Sequence, residues 1–185
     1  MALKATIFKA ELQVSDLDRG HFATHALTLA RHPSETDERM MIRLLAHALN
    51  APADTDHGAL EFAKDLWDTD EPALWQKDLT EQIVQWIDVG QPDEKRLLRA
   101  SPRAGQVRVY AFAASTPIWW SGIATKVTRA ANLVVWQVPA DQSQALSGLA
   151  QRTMQLQVTV QDGHVWVGDG AQSVEIAPKK LYGAD

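Results

Sequence analysis

Cysteine is missing from all 185 residues of the chain. Its absence excludes disulfide bonds, zinc–thiolate sites and thiol nucleophiles together. An excess of basic charge is also missing, because 18 lysines and arginines stand against 23 aspartates and glutamates, for a net charge of −5. This balance argues against a protein that coats nucleic acid with a general basic surface. It is compatible with a local basic cleft, or with acidic side chains gathered around a divalent cation.

The chain also lacks any apolar run of about 18 residues, so no membrane-spanning helix is expected. Residues 1–16 alternate polar and apolar side chains and contain no continuous apolar segment of the kind that a signal peptide carries. A cytoplasmic location without membrane contact is therefore the expectation. The length and the 45% hydrophobic content suit a single domain spanning residues 1–185.

Helix and strand patterns alternate in the middle of the chain, whereas both ends have strand patterns only. Alternation of polar and apolar side chains in residues 1–33 and 151–178 predicts antiparallel strand pairs, with Asp162 and Gly163 in a hairpin turn. A core of about residues 34–150 then carries the remaining helices and strands. The sequence therefore predicts an α/β (α+β) fold, in which helices flank a mixed sheet and the two termini add an antiparallel sheet.

The strongest helical pattern is SETDERMMIRLLAHALN, residues 34–50. Ser34 is a suitable N-cap for this helix. Glu38 is expected on the apolar face, because it lies three, four, seven and eleven positions before the residues of the apolar stripe. That stripe consists of Met41, Ile42, Leu45 and Leu49. Glu35, Arg39 and Arg43 share the polar face.

Two further acidic features follow. Asp70 and Glu71 lie in a turn, directly before Pro72 and a predicted strand. Asp88 lies near the end of QIVQWIDVG, an apolar strand in which a buried carboxylate is costly unless something pairs with it. Acids that converge in a partly buried pocket share protons or hold a hard cation such as Mg²⁺ or Mn²⁺ through oxygen ligands. Such a metal polarises a phosphate oxygen and lowers the pKa of a bound water.

Each acidic feature also has a structural interpretation. Asp70 and Glu71 suit a solvated turn that caps the segment after it. Glu38 can pair with an arginine from elsewhere in the chain. Asp88 can act as a turn residue or an N-cap before the helix whose first position Pro92 is expected to occupy.

His21 and His25 are expected on one face of the second strand. No third ligand follows at a spacing typical of a metal site. We therefore interpret them first as packing or surface histidines, and as a metal-binding pair only second.

Four segments resemble the YaeQ family of bacterial proteins. They are RHPSETDERMMIRLLA, DTDEPALW, WIDVGQPDEKRLLRA and RTMQLQVTVQDGHVW. The segments are long and specific, and the resemblance extends from the first strand to the final hairpin. The chain is therefore identified as a member of that family.

That family is similar in fold to the PD-(D/E)XK nucleases, the restriction-endonuclease-like group. The resemblance implies an acid on a helix, a second at the start of the second core strand and a third on the third core strand. Glu38, then Asp70 or Glu71, and finally Asp88 match these positions, and they would bind Mg²⁺ or Mn²⁺. The function that the resemblance implies is a metal-dependent phosphodiesterase that acts on DNA or RNA.

One position departs from the nuclease pattern. The motif places a lysine two residues after the third-strand acid, where this chain has Gly90. Lys95 or Arg96 on the following helix, or Gln82 earlier on the strand, are the candidates to replace it in assisting the attacking water. A solvated helix charge is the structural interpretation of Lys95. The alternative function is a catalytically inactive protein of this fold that binds nucleic acid or a protein partner.

Overall fold

The structure, a computed structural model, describes residues 4–184 of the chain. These residues form eleven strands and four α-helices. In chain order they are β1 (Thr6–Asp16), β2 (His21–Arg31), α1 (Asp37–Asn50), β3 (Leu60–Phe62), β4 (Leu74–Lys77), β5 (Ile83–Val89), α2 (Glu94–Ala100), β6 (Ala104–Ala111), α3 (Thr116–Ile123), β7 (Leu133–Gln137), α4 (Ala140–Ser147), β8 (Thr153–Gln161), β9 (His164–Gly168), β10 (Ser173–Ile176) and β11 (Lys179–Tyr182). None of the helices in this part of the chain has the length and apolar character needed to cross a membrane.

The described residues divide into two compact units, each of which contains one mixed sheet. The first unit comprises residues 4–49 and 141–178, and the second comprises residues 50–140 and 179–184. The predicted α+β class is confirmed. The sequence predicted a core of about residues 34–150 and a separate sheet from the two termini. In the structure most of α1 lies in the first unit, together with the terminal strands.

The sheet of the first unit has the order β10-β9-β8-β1-β2. β1 and β2 form the expected antiparallel hairpin, and Asp162 and Gly163 form the turn between β8 and β9 with positive φ at both residues. The expectation that this sheet is purely antiparallel is wrong, because β1 and β8 run parallel. A long connection separates these two strands along the chain, so no tight turn forces them into opposite directions.

Helices α1 and α4 pack against the apolar face of this sheet. Met41 and Leu45 of α1 and Leu146 of α4 line the same small apolar space as Leu12 of β1 and Leu156 of β8. All five side chains are almost fully buried. Burial of each leucine stabilises the fold by about 1.5–3 kcal/mol relative to exposure, so this layer provides the core of the first unit.

Helix α1 begins later than the sequence pattern suggests. The backbone N–H of Arg39 donates to Oγ1 of Thr36 over 3.1 Å, which makes Thr36 the N-cap. The prediction of Ser34 in this role is wrong, and the Ser34 hydroxyl lies 2.7 Å from Nδ1 of His32 instead. Serine and threonine both cap helices well. Thr36 is the cap here because its hydroxyl lies within hydrogen-bond distance of the backbone N–H of Arg39, three residues later.

The sheet of the second unit has the order β11-β7-β6-β5-β4-β3. Strands β5, β6 and β7 run parallel, while β3, β4 and β11 are antiparallel to their neighbours. Parallel strands require a crossover, and α2 is the crossover between β5 and β6. It covers the sheet with Leu97 and Ala100, which pack against Trp86, Val107 and Val109.

Helix α2 starts two residues after the expected position. Asp93 is its N-cap, because Oδ1 of Asp93 accepts a hydrogen bond of 2.8 Å from the backbone N–H of Arg96. Pro92 therefore precedes the helix, and the expectation of Pro92 at the first helical position is wrong. Asp88 is not an N-cap either. The short stretch between β5 and α2 places the first turn of α2 close to the end of β5.

Candidate functional site

Asp88 forms an ion pair with Arg96 at the end of β5. Its side chain is only 5% exposed. Arg96 donates from Nε to Oδ2 over 2.8 Å and from Nη2 to Oδ1 over 2.9 Å, so both carboxylate oxygens are engaged. Bidentate arginine–carboxylate bonds are among the strongest in proteins. This pairing explains how an apolar strand accommodates a buried acid.

The Arg96 guanidinium also binds the turn before β4. It donates from Nη1 to the carbonyl oxygen of Thr69, and from Nη2 to that of Glu71 over 3.0 Å. The hydrogen bonds to Asp88 raise the pKa of Arg96, so the group stays charged. A cation therefore bridges the Thr69–Glu71 backbone and the Asp88 carboxylate, and that cation belongs to the chain itself.

The acidic turn places its side chains elsewhere. Asp70 is exposed. Oε1 of Glu71 accepts a hydrogen bond of 3.2 Å from the backbone N–H of Lys64, and Oε2 lies 3.8 Å from Nζ of Lys64. The backbone of this turn, and not its carboxylates, is therefore what Arg96 ties to Asp88.

Glu38 lies in the first turn of α1, in the first unit, and is half-buried. The deeply buried acid of this segment is its neighbour Glu35, which is bonded to Arg43 and Arg39. The predicted grouping of these three residues agrees with the structure, because both arginines contact Glu35, but Glu35 and Arg43 are buried. Helix α1 is buried along most of its circumference, so the trio resides inside the unit as an ion-pair cluster.

Lys95 and Gln82 are both exposed. Gln82 precedes β5, and its backbone N–H donates to Oδ1 of Asp78 over 3.1 Å. The α2 cation that contacts Asp88 is Arg96, one of the two candidates on this helix. Gly90 has φ of +107°, a region that a lysine side chain strongly disfavours, so the backbone here differs from the nuclease pattern as well as the side chain.

The side chains described by the structure do not assemble a metal site around Asp88. Within residues 4–184, no group of three or more histidine, aspartate or glutamate side chains is arranged to hold a metal ion. Hard divalent cations need several oxygen ligands, and both oxygens of Asp88 already accept hydrogen bonds from Arg96. The residues therefore do not fit the Mg²⁺ or Mn²⁺ site that the resemblance implies.

A cleft of about 210 Å³ opens beside this ion pair, and we call it the arginine cleft. Its lining residues are Thr69, Asp70, Trp86, Asp93, Arg96, Arg99, Ala100 and Arg103. The guanidinium carbons of Arg96 and Arg103 lie 5.6 Å and 5.1 Å from the centroid of the Trp86 ring, within the range of cation–π attraction. Two arginines thus lie over the ring of a buried indole.

This cleft was not predicted from the sequence. Lys95 was interpreted there as a solvated helix charge, and neither Arg99 nor Arg103 was a candidate. The signal was present, because Arg96, Arg99 and Arg103 follow one another at intervals of three and four residues, which places side chains on one face of a helix. The structure extends α2 by a short 3-10 turn, Ser101–Arg103, and so keeps all three on that face.

His21 and His25 form a separate polar feature in the first unit. Their Nε2 atoms lie 3.2 Å apart, and their ring centroids 5.5 Å apart with the planes at 15°. The two nitrogens therefore point at each other, so one donates its proton to the lone pair of the other. Metal ligands instead direct their lone pairs at a common third point, and this geometry favours the packing interpretation.

The histidine pair predicts a loss of stability in mild acid. Burial lowers the pKa of His21, and burial followed by the charge of His21 lowers the pKa of His25. The unfolded state then binds protons before the folded state as the pH falls. The free energy of unfolding should be highest above pH about 6.5, and it should decrease as the pH falls from there towards the lowered pKa values of the folded state.

Urea unfolding between about pH 5 and 8 measures this dependence. We expect His25→Gln to reduce its slope and His57→Gln, at an exposed histidine, to preserve it. An unchanged slope in His25→Gln would show that the pair does not control the response.

Comparison with known proteins gives consistent matches along nearly the whole chain. The family described as "YaeQ protein" matches residues 1–178. "Uncharacterized protein YaeQ" of Salmonella typhi is 45% identical over 177 residues, and that of Escherichia coli (strain K12) is 43% identical; each match covers 95% of both chains.

Two crystal structures are also similar. The YaeQ protein from Xanthomonas axonopodis pv. citri superposes with a TM-score of 0.92 at 43% identity, covering 98% of this chain and 100% of that one. The YaeQ protein from Pseudomonas syringae has a TM-score of 0.90 at 36% identity and covers 97% of each chain.

Proposed function

This chain belongs to the YaeQ family, and we propose that it binds nucleic acid without hydrolysing it. The observation that carries the proposal is the ion pair of Asp88 and Arg96. An arginine holds the carboxylate that metal-dependent hydrolysis would need, and it contributes its own positive charge at that place. The ion pair itself is neutral, so the positive charge available for binding is that of Arg99 and Arg103 beside it.

The choice of nucleic acid rests on the arginines of the cleft. Guanidinium groups bind phosphate oxygens through paired N–H donors, and three of them line one opening of the second unit. The net charge of −5 disfavours a general electrostatic attraction to nucleic acid. Binding is therefore expected to be local, through few phosphates, with a modest dependence on salt.

The competing proposal is a Mg²⁺- or Mn²⁺-dependent phosphodiesterase of the PD-(D/E)XK type. It draws support from the order of elements, because α1, β3, β4 and β5 follow one another with Glu38, Asp70 or Glu71, and Asp88 at the positions that the resemblance implies. The geometry weighs against it, because those residues supply no free set of oxygen ligands within residues 4–184. A protein partner is the remaining alternative.

Two measurements on the full chain test the proposal. Anisotropy of labelled single-stranded and double-stranded DNA and RNA, between about 50 and 200 mM salt, should reveal binding. Because Arg96 is held by Asp88, Arg99 and Arg103 are the cations left to contact phosphates, about two in number. For single strands, a plot of log K against log salt concentration should therefore have a slope of about −1.4. Incubation of the same oligonucleotides with Mg²⁺ or Mn²⁺ should leave them intact.

Calorimetric titration of Mg²⁺ and Mn²⁺ into the wild type and Asp88→Asn distinguishes the alternatives. We expect no saturable binding to either protein. Saturable binding that Asp88→Asn abolishes, together with cleavage of an oligonucleotide, would establish the phosphodiesterase. Absence of oligonucleotide binding at every salt concentration would instead favour a protein partner.

A further inference from the structure

Arg99 and Arg103 are cations of the arginine cleft for which no carboxylate lies within ion-pair distance among residues 4–184. Both side chains are exposed. Arg96, by contrast, uses four of its five N–H donors on Asp88 and two backbone carbonyl oxygens. The cleft therefore combines one fixed arginine with two whose N–H donors face solvent.

A second observation comes from the floor of the cleft. Trp86 is only 2% exposed and lines the cleft, and its indole Nε1 has no hydrogen-bond partner among the described residues. Buried indole N–H groups usually find an acceptor, because an unpaired buried donor costs free energy. That nitrogen has almost no accessible surface, so Trp86 contributes the surface of its ring to the cleft and not its N–H group.

We propose that the arginine cleft binds one phosphoryl group, with the guanidinium groups of Arg99 and Arg103 as its principal donors. The ring of Trp86 lines the same cleft. A phosphoryl group suits these donors because it presents several strong acceptor oxygens and a negative charge. The proposal rests on the proposed function for the source of the group, namely a phosphate of a nucleic acid.

The size of the cleft suits a phosphoryl group. Its volume of about 210 Å³ is several times the roughly 30 Å³ that one water molecule occupies in the liquid, so a phosphoryl group and the atoms attached to it have room to enter. The cleft is also open to solvent, so a longer ligand can extend out of it.

The two acids of the cleft favour a sugar phosphate over inorganic phosphate. Asp70 and Asp93 are exposed and repel a multiply charged ion that fills the cleft. Their oxygens accept hydrogen bonds from hydroxyl or amino groups, and a sugar or a base supplies such groups in addition to those of the phosphoryl group itself. A phosphoryl group attached to a sugar should therefore bind more tightly than inorganic phosphate.

The test compares two phosphate sources on the full-length protein. Titrations use inorganic phosphate, thymidine 5′-monophosphate, and a short oligothymidylate with and without a 5′-phosphate. The variants are Arg99→Gln/Arg103→Gln, Trp86→Phe, and the charge-matched control Arg129→Gln/Lys179→Gln, which changes two exposed cations outside the cleft. Circular dichroism confirms that each variant is folded.

We expect Arg99→Gln/Arg103→Gln to weaken thymidine 5′-monophosphate binding roughly 100-fold, from about tenfold for each charge-assisted hydrogen bond. Trp86→Phe should weaken it far less, because the indole N–H is buried and does not reach the ligand. The control pair should change it less than twofold, because neither cation lines the cleft.

The outcomes separate this inference from the proposed function. If the monophosphate binds the wild type and the oligonucleotides do not, the phosphoryl site stands with a small phosphorylated molecule as its source, and nucleic-acid binding fails. If oligonucleotides bind equally to the wild type and to Arg99→Gln/Arg103→Gln, nucleic-acid binding stands and the phosphoryl site is overturned. Failure of the monophosphate to bind the folded wild type also overturns it.

Discussion

Replacing Arg96 with glutamine is expected to lower the free energy of unfolding by about 3 kcal/mol. The substitution leaves the Asp88 carboxylate buried without a cation, and it removes the bonds to the backbone of Thr69 and Glu71. Breaking a buried pair by removing one partner costs about 3–5 kcal/mol. The lower end applies because the Arg96 side chain is 27% exposed. Urea unfolding followed by circular dichroism measures the loss.

A double-mutant cycle measures the interaction energy between Asp88 and Arg96. Asp88→Asn should destabilise the protein by less than Arg96→Gln, because Arg96 keeps its two backbone acceptors in that variant. The double variant Asp88→Asn/Arg96→Gln should be more stable than the sum of the single effects predicts, by at least 1 kcal/mol, as is typical of residues in direct contact. Lys95→Gln on the same helix is the control, and it should change stability by less than about 0.5 kcal/mol.

The sign of the Asp88→Asn effect carries information about function. Acids that gather to bind a metal repel one another, so removing one charge from such a site stabilises the fold. An acid held by an arginine has the opposite response, because its removal deprives the arginine of its partner. A stabilising Asp88→Asn substitution would therefore contradict the ion-pair interpretation and favour the metal-binding one.

Replacing Glu35 with glutamine should have the largest effect on the first unit, about 3–5 kcal/mol of lost stability. Its side chain is 1% exposed and that of Arg43 is 3% exposed. Arg43 donates to both carboxylate oxygens of Glu35, and Arg39 donates to one of them. The neutral amide would leave two arginines without their shared anion in a buried position. Chemical unfolding of the variant measures the loss.

Two further variants test this interpretation of the Glu35 cluster. Because a hydrophobic replacement removes both charges together, Glu35→Leu/Arg43→Met should recover much of the stability that Glu35→Gln loses. Lys126→Gln, which removes one member of an exposed pair with Glu94, should have almost no effect. If Glu35→Gln proved as mild as Lys126→Gln, the cluster would be contributing little net stability.

Most strands of the first unit could be predicted from the local sequence pattern. Alternation predicted β1, β2, β8 and β9, because side chains on a half-buried strand point to opposite faces in turn. Asp162 and Gly163 predicted the last hairpin, because that pair tolerates positive φ. The parallel pairing of β1 with β8 could not be predicted. The sequence of a strand does not specify in which direction a partner strand that is distant along the chain will run.

Charge placement was the harder problem, and α1 shows why. Its pattern separates Glu35, Arg39 and Arg43 from the apolar stripe, which ordinarily indicates a solvated face. In the folded unit this face is covered, and the three charges neutralise one another inside it. A helical pattern shows which residues share a face. Whether that face is exposed or buried depends on the elements that pack against it.

The sequence by itself determined the family, the α+β class and the acidic residue that requires an explanation, since a carboxylate in an apolar strand is costly wherever it occurs. Only the tertiary structure decided what pairs with that acid. Asp88 and Arg96 belong to a strand and to the crossover helix behind it, and they meet because the parallel arrangement of β5 and β6 returns α2 across one face of the sheet. The same return brings Arg99 and Arg103 to the cleft that Trp86 lines. Local sequence specifies the charges, whereas the path of the chain through space selects their partners.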